Sequence, residues 1–203
     1  MDFVVNIFAL GIPFSVALLL ASLGEMFNQR AGVFNLGCEG IMAMGAFLGM
    51  LVPYSVGQGG PVSGAYNILG LLLAMGIGAL LGLFFGLVVV TFRAPQGIAG
   101  IGLQMFGVGA AGTLFRHFVG GTQSIPGIDR LPIPVLSEIP VLGPVLFSHN
   151  PLVYMTFLMV PAAWYVLFKT PWGLRVRAAG TNPRAADSIG VKVNLVRFQA
   201  LAV

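Results

Sequence analysis

Two carboxylates, Glu25 and Glu39, sit with an arginine, two asparagines and a glutamine between two long apolar runs. The stretch reads Gly24-Glu25-Met26-Phe27-Asn28-Gln29-Arg30-Ala31-Gly32-Val33-Phe34-Asn35-Leu36-Gly37-Cys38-Glu39-Gly40. Charged groups beside hydrocarbon are costly, so they pair, reach water or serve a pathway. Arg30 is the cation within reach of Glu25 or Glu39, and the glycines permit a tight turn. The expected product is a polar knot of Glu25, Arg30, Asn35 and Glu39 that caps a helix hairpin without touching a solute. A proton relay through Glu39 is the weaker alternative, because no second buried carboxylate accompanies it.

A basic segment occupies residues 169–196. Lys169, Arg175, Arg177, Arg184 and Lys192, with Arg197 just beyond, outweigh one acid, Asp187. The middle of this segment predicts a short helix from Asn182 to Gly190. Asn182 suits the N-cap, Pro183 the first helical position and Gly190 the C-terminal cap. Ala185, Ala186 and Ile189 would form a small apolar face, flanked by Arg184, Asp187 and Ser188. Such a face suits docking into a groove on another protein. An amphipathic helix lying on anionic lipid is the alternative, and the face is thin for that role.

Other chemistries lack their residues. No glycine-rich loop followed by Lys and Ser or Thr is present, so the chain has no P-loop for ATP phosphates. His117 and His149 are far apart and have no carboxylate or cysteine at metal-ligand spacing. Each reads as a solvated or interfacial histidine, and no metal site is expected. No Ser–His or Ser–Lys pair stands out for an intramembrane hydrolase. The single cysteine, Cys38, excludes an internal disulfide.

The elements that must hold these groups are membrane helices. The 203 residues are 57% hydrophobic and 8% charged, against about 25% charged in soluble domains. Too few charges remain to cover a solvated surface, and the basic residues cluster between apolar runs. That arrangement argues against a nucleic-acid binder, which needs a basic face on a soluble body. The expected fold is an all-α polytopic bundle forming one transmembrane domain over residues 1–203. Its five spans are Phe3–Ser22, Leu36–Tyr54, Ile68–Phe92, Gly97–Phe115 and Leu152–Phe168, each near the length that crosses a bilayer. A sixth apolar run opens near Val196 and stops at Val203, so the expectation is a chain whose last span is cut short.

Lys and Arg favour cytoplasmic loops, which places residues 169–196 inside, together with Arg30 and Arg93. The N-terminus and the segments 56–67 and 117–151 then lie outside. A re-entrant hairpin at Leu36–Tyr54 would move Arg30 outside, so a full span fits the charges better. The outer segment 117–151 holds Pro126, Pro132, Pro134, Pro140, Pro144 and Pro151, which exclude a long helix. It reads either as a docking surface or as a plain connector. Gly78, Gly82 and Gly86 recur at a spacing of four, and Gly100, Gly102, Gly107, Gly109 and Gly112 crowd the next span. Small residues at such spacing let helix backbones approach closely.

Three stretches carry a family resemblance: LGEMFNQRAGVFNLGCEGIMAMGAF, IPVLGPVLF and TPWGLRVRAAGTNPRAADSIGV. They resemble the permeases of ABC importers for simple sugars, nucleosides and branched-chain amino acids, above all the nucleoside branch that works with basic-membrane-protein lipoproteins. The resemblance covers the whole chain. It implies a non-enzymatic transporter subunit of the bacterial cytoplasmic membrane. ATP and Mg2+ would be held by a separate ATPase chain, with no cofactor bound here. Further implied partners are a second permease copy or paralogue and an extracytoplasmic substrate-binding protein facing the outer loop. The resemblance makes Asn182, Pro183, Arg184, Ala185, Ala186, Asp187, Ile189 and Gly190 the coupling helix that seats in the ATPase. Where such permeases often carry asparagine on the fourth span, this chain has Gln104; Gln104 and Gly107 are the expected contacts along the substrate path. The rival readings are an ion-gradient-driven transporter, which needs ionisable groups at mid-membrane where only Glu39 near a span end is on offer, and an intramembrane enzyme.

Overall fold

The computed structural model describes residues 2–57, 64–121 and 145–203, and every regular element among them is helical. Helices α1 (Asp2–Arg30), α2 (Cys38–Gly57), α3 (Gly64–Gly86), α4 (Gln96–Phe118) and α5 (Pro151–Lys169) are the long ones. Three shorter helices follow: α6 (Pro171–Thr181), α7 (Pro183–Ser188) and α8 (Val193–Leu201). A π-helical turn, Leu87–Thr91, prolongs α3. Five of these helices are long and apolar enough to cross a bilayer.

The expected end of the first span at Ser22 is corrected by the structure, because α1 runs on to Arg30. Its polar last turns stay helical because their side chains satisfy one another along the helix. Asn28 Nδ2 and Gln29 Nε2 donate to the Glu25 carboxylate at 3.3 and 3.2 Å. The carboxylate thus neutralises, along one face, groups that would otherwise favour a break.

The starts of α5, α6 and α7 share one device, a polar cap followed by proline. Asn150 accepts from the Val153 N–H at 3.3 Å, Thr170 from Gly173 at 3.1 Å and Asn182 from Ala185 at 3.1 Å. Proline then stands at the first helical position in each case, where its missing N–H costs nothing. The Thr170–Pro171 start produces α6, where the sequence reading had only a connecting segment. At the other end of α7, Gly190 takes a φ of 87°, in the left-handed region, as expected of a C-terminal cap.

Helix α2 lies between α3 and α4, and Phe47, Leu81, Phe85 and Leu103 form the core of that group. A second core, with Phe27, Leu167, Val176 and Val196, joins α1 and α5 to the short helices. Helix α8 bridges the two: a Cβ on Gly86 would come within 2.9 Å of Phe198 and Leu201. The stretch expected to open a sixth span is therefore a short helix packed on α3 within the described residues.

One end of the bundle gathers the basic turns. Arg197 Nε donates to the Ala31 carbonyl at 3.2 Å, and the Phe34 N–H donates to Gln96 Oε1 at 2.8 Å. Gly32, with a φ of 77°, passes so close to α6 that a Cβ there would sit 3.1 Å from Cα of Gly180. Residues 30–37, 91–96 and 169–197 thus share an end, as strict alternation of five spans demands. Of the expected outer segments, residues 58–63 and 122–144, with Pro126, Pro132, Pro134, Pro140 and Pro144, lie outside the described residues.

Of the two settings expected for His149, solvated or interfacial, the structure excludes the first. His149 is buried at the foot of α5, where its backbone N–H donates to Tyr154 Oη at 3.0 Å and its Nε2 lies 2.7 Å from the Val145 carbonyl. His117 stays exposed and meets the Phe118 ring edge-on, 5.0 Å between centroids.

Candidate functional site

Glu25 is the hub of the joint between α1 and α2. Besides Asn28 and Gln29, it accepts from the Asn35 backbone N–H at 3.1 Å, and the Cys38 thiol lies 3.6 Å from its Oε2. Asn35, buried, accepts in turn from the Gly37 N–H at 2.8 Å, an Asx turn that sets the entry of the chain into α2. The structure brings Glu25 and Asn35 together as expected, and it separates Arg30 and Glu39 from them. Arg30 lies over the Phe168 ring of α5 at 5.8 Å, and Arg177 of α6 shares that ring at 5.1 Å. The ion pairs anticipated for Arg30 are replaced by amide donors on Glu25 and by an aromatic face under the guanidinium.

Glu39 takes its partner from another helix. Gln104 Nε2 of α4 donates to Glu39 Oε2. Gln104 stands midway between Arg93 and Arg116, about 12 Å along α4 at a rise of 1.5 Å per residue. The linker after α1 climbs along the first turns of α4, past Gln96 and Gly100, before α2 begins. Glu39 is in the first turn of α2, which is set level with Leu103–Gly107 of α4 and leaves the Glu39 side chain exposed. Within its own span Glu39 stands near the end, as expected; what the sequence does not show is how far along α4 that end is set. Backbone contact makes this possible: a Cβ on Gly40 would sit 2.6 Å from the Leu103 carbonyl oxygen and 2.7 Å from Cα of Gln104. Gly107, expected along the path, is buried against Gly40 and serves as the point where α2 and α4 touch.

A cavity of about 480 Å³ opens between α1, α2, α3 and α8. Its polar floor is Glu25, Asn28, Asn35 and Cys38, and its walls include Met42 and Met75. The Asn28 carboxamide oxygen is buried there without a hydrogen-bond partner. Asn28 was visible in the polar stretch, but nothing in its spacing marked it as lining a space.

The expected docking helix is α7, and it is split by burial. Ala186 is 3% exposed and belongs to the core beneath, whereas Ile189 is 77% exposed. Ala185, Arg184, Asp187 and Ser188 are exposed as well. The apolar face predicted from Ala185, Ala186 and Ile189 therefore divides into an anchor and a free knob. Beside it, Arg184, Asp187, Lys192 and Arg197 line a groove of about 460 Å³.

The family model for the permease component of branched-chain amino acid transport systems matches residues 7–203. The chain belongs to this family. It is 36% identical to the guanosine ABC transporter permease protein NupQ of Bacillus subtilis, over 96% of this chain and 63% of that protein. Identity to the nucleoside ABC transporter permease protein NupC of Lactococcus lactis is 33%, over 91% and 59% respectively. With the putative glucose ABC transporter permease protein TsgC13 of Haloferax volcanii it is 30%, over 100% and 60%. The chain spans about three fifths of the length of these curated relatives. No solved structure matches it. As a member of the permease family with five helices fit to cross a bilayer, the chain is a multi-pass membrane protein.

Within the permease family frame, the structure sorts the polar residues into three places. Glu25, Asn28, Asn35 and Cys38 tie two helices together at the basic end. Glu39 and Gln104 meet on the exposed α2–α4 face, about 12 Å along α4. The α7 residues project from the basic end, clear of the long helices.

Proposed function

We propose that this chain is the membrane-spanning permease part of an ATP-driven importer for nucleosides or simple sugars, the solutes named for its relatives. The observation that carries the coupling role is the burial pattern of α7. A six-residue helix is capped at both ends, anchored by Ala186 and presents Ala185 and Ile189 outward beside a basic groove. An exposed apolar knob on a rigid mount suits insertion into a partner's groove. That partner is an ATPase chain, which holds ATP and Mg2+ and whose closure moves α7 and reorients the bundle. A second permease copy or paralogue completes the path, and a substrate-binding protein delivers solute at the end opposite α7. The assembly resides in the bacterial cytoplasmic membrane.

The full-length protein, co-expressed with its ATPase and reconstituted in liposomes, tests this reading. Ala185→Glu alters only the exposed knob. It should keep its expression and monodispersity in detergent while losing ATPase association and solute-stimulated hydrolysis by tenfold or more. Ala186→Glu buries an unpaired charge and should lower the yield of folded protein itself. Unchanged association and hydrolysis for Ala185→Glu would overturn the coupling assignment. ATP-independent uptake driven by an ion gradient would instead favour a secondary carrier.

A further inference from the structure

We propose that Glu39 and Gln104 form a hydrogen-bond-accepting subsite on the solute path, fitted to neutral solutes with vicinal hydroxyls. The inference deepens the importer reading and rests on it.

Depth comes first. Gln104 lies about 12 Å into its span at a rise of 1.5 Å per residue, and its hydrogen bond holds Glu39 at the same level. Exposure comes second. Glu39 is exposed on the outside of this chain, while around it on α4 lie Ile101 and Met105, at 50% and 73% exposure. A carboxylate at this depth does not face lipid; it faces water or polar groups of a cavity. We accordingly assign the α2–α4 face to the wall of an aqueous path.

The pair is also built to hold its geometry. The N-terminal end of α2 favours a carboxylate in its first turn. The contact of Gly40 with Gly107 and the Leu103 carbonyl fixes the two backbones, and thereby the two side chains, against each other. Gln104 spends a donor on Glu39 Oε2, which leaves Glu39 Oε1 and Gln104 Oε1 as acceptors. Two adjacent acceptors with a negative charge call for a solute that brings adjacent donors and no anionic group. Vicinal hydroxyls on a furanose or pyranose ring meet both conditions.

The test uses the full-length transporter with its ATPase in proteoliposomes, in a Cys38→Ser background. Glu39→Cys and Gln104→Cys are each exposed to a cationic, membrane-impermeant methanethiosulfonate, with Leu72→Cys on the exposed face of α3 as the lipid-facing comparison. Both path positions should react at least tenfold faster than position 72. Guanosine or glucose at millimolar concentration should slow the reaction at position 104 several-fold, and 2′,3′-dideoxyguanosine should slow it far less. Gln104→Cys retains the Glu39 carboxylate, so it reads the site even where Glu39→Cys does not assemble. Failure of both cysteines to react would mean that lipid or a second copy of the chain covers the face, and overturns the proposal. Reaction that neither polyol slows overturns it too. Absence of ATP-driven uptake of either solute by the native transporter counts against the importer reading, a separate measurement from the labelling.

Discussion

Glu25 gathers hydrogen bonds from two side-chain amides and the Asn35 N–H; Gln29 is exposed, but removal of the carboxylate strands the part-buried donors of Asn28 and Asn35. Each buried donor left unpaired costs about 1–3 kcal/mol. Glu25→Ala is expected to lower the thermal midpoint of the detergent-solubilised protein by several degrees. Glu25→Gln keeps one acceptor oxygen and the side-chain shape, and should lose less than half as much. Trp172 is a convenient reporter, since its ring lies 5.8 Å from Phe27 of α1 and its Nε1 donates to Gln199 Oε1 at 3.0 Å. An unshifted midpoint for Glu25→Ala would show that the joint between α1 and α2 is held by packing alone.

Helix packing on α4 separates glycines that look alike in the sequence. Gly107 is pressed against the Gly40 backbone, with a would-be Cβ 2.6 Å from Gly40 Cα, whereas a Cβ on Gly109 would meet nothing within 4 Å. Gly107→Val forces α2 and α4 apart, an overpacking that costs about 1–3 kcal/mol and more where backbone must move. It should sharply reduce the monodisperse fraction on size-exclusion chromatography, while Gly109→Val should elute as the native protein does. Equal profiles would mean that the two helices have slack between them. This contrast also shows where the sequence stopped being informative. Apolar runs and cap residues are local signals, and they located the five spans and the Asn182–Gly190 helix. Which face a glycine turns is decided by a neighbour far along the chain, and spacing does not encode it. The same holds for Glu39: its position in the sequence says helix start, but the depth of that start is set by a linker folding back along α4. The polar tail of α1 and the glycine-bearing α6 were hidden for a third reason. Hydropathy registers their polarity and not the hydrogen bonds that keep them helical, although Thr170–Pro171 was a readable start signal.

At the scale of the whole molecule, the distribution of charge fixes how the bundle sits in a bilayer. Of the ten Lys and Arg, Arg30, Arg93, Lys169, Arg175, Arg177, Arg184, Lys192 and Arg197 belong to one end; Arg116 closes α4 at the other, and Arg130 falls between α4 and α5. We propose that so strong a bias orients the basic end toward the cytoplasm. Tryptophan and the two guanidiniums at that end support the same direction, since Arg30 and Arg177 flank Phe168 and Lys169 lies 5.7 Å from the Trp164 ring, an aromatic and basic girdle suited to an interface with anionic headgroups. Alkaline phosphatase, active only outside the cytoplasm, reads the orientation directly. A fusion after Gly57 should be active, and fusions after Arg93 and after Lys192 should be inactive, with green fluorescent protein giving the reverse pattern. Activity after Arg93 would turn α3 around and place α7 outside. No ATPase could then reach Ala185 and Ile189, so this one result bears on the orientation and on the coupling role together.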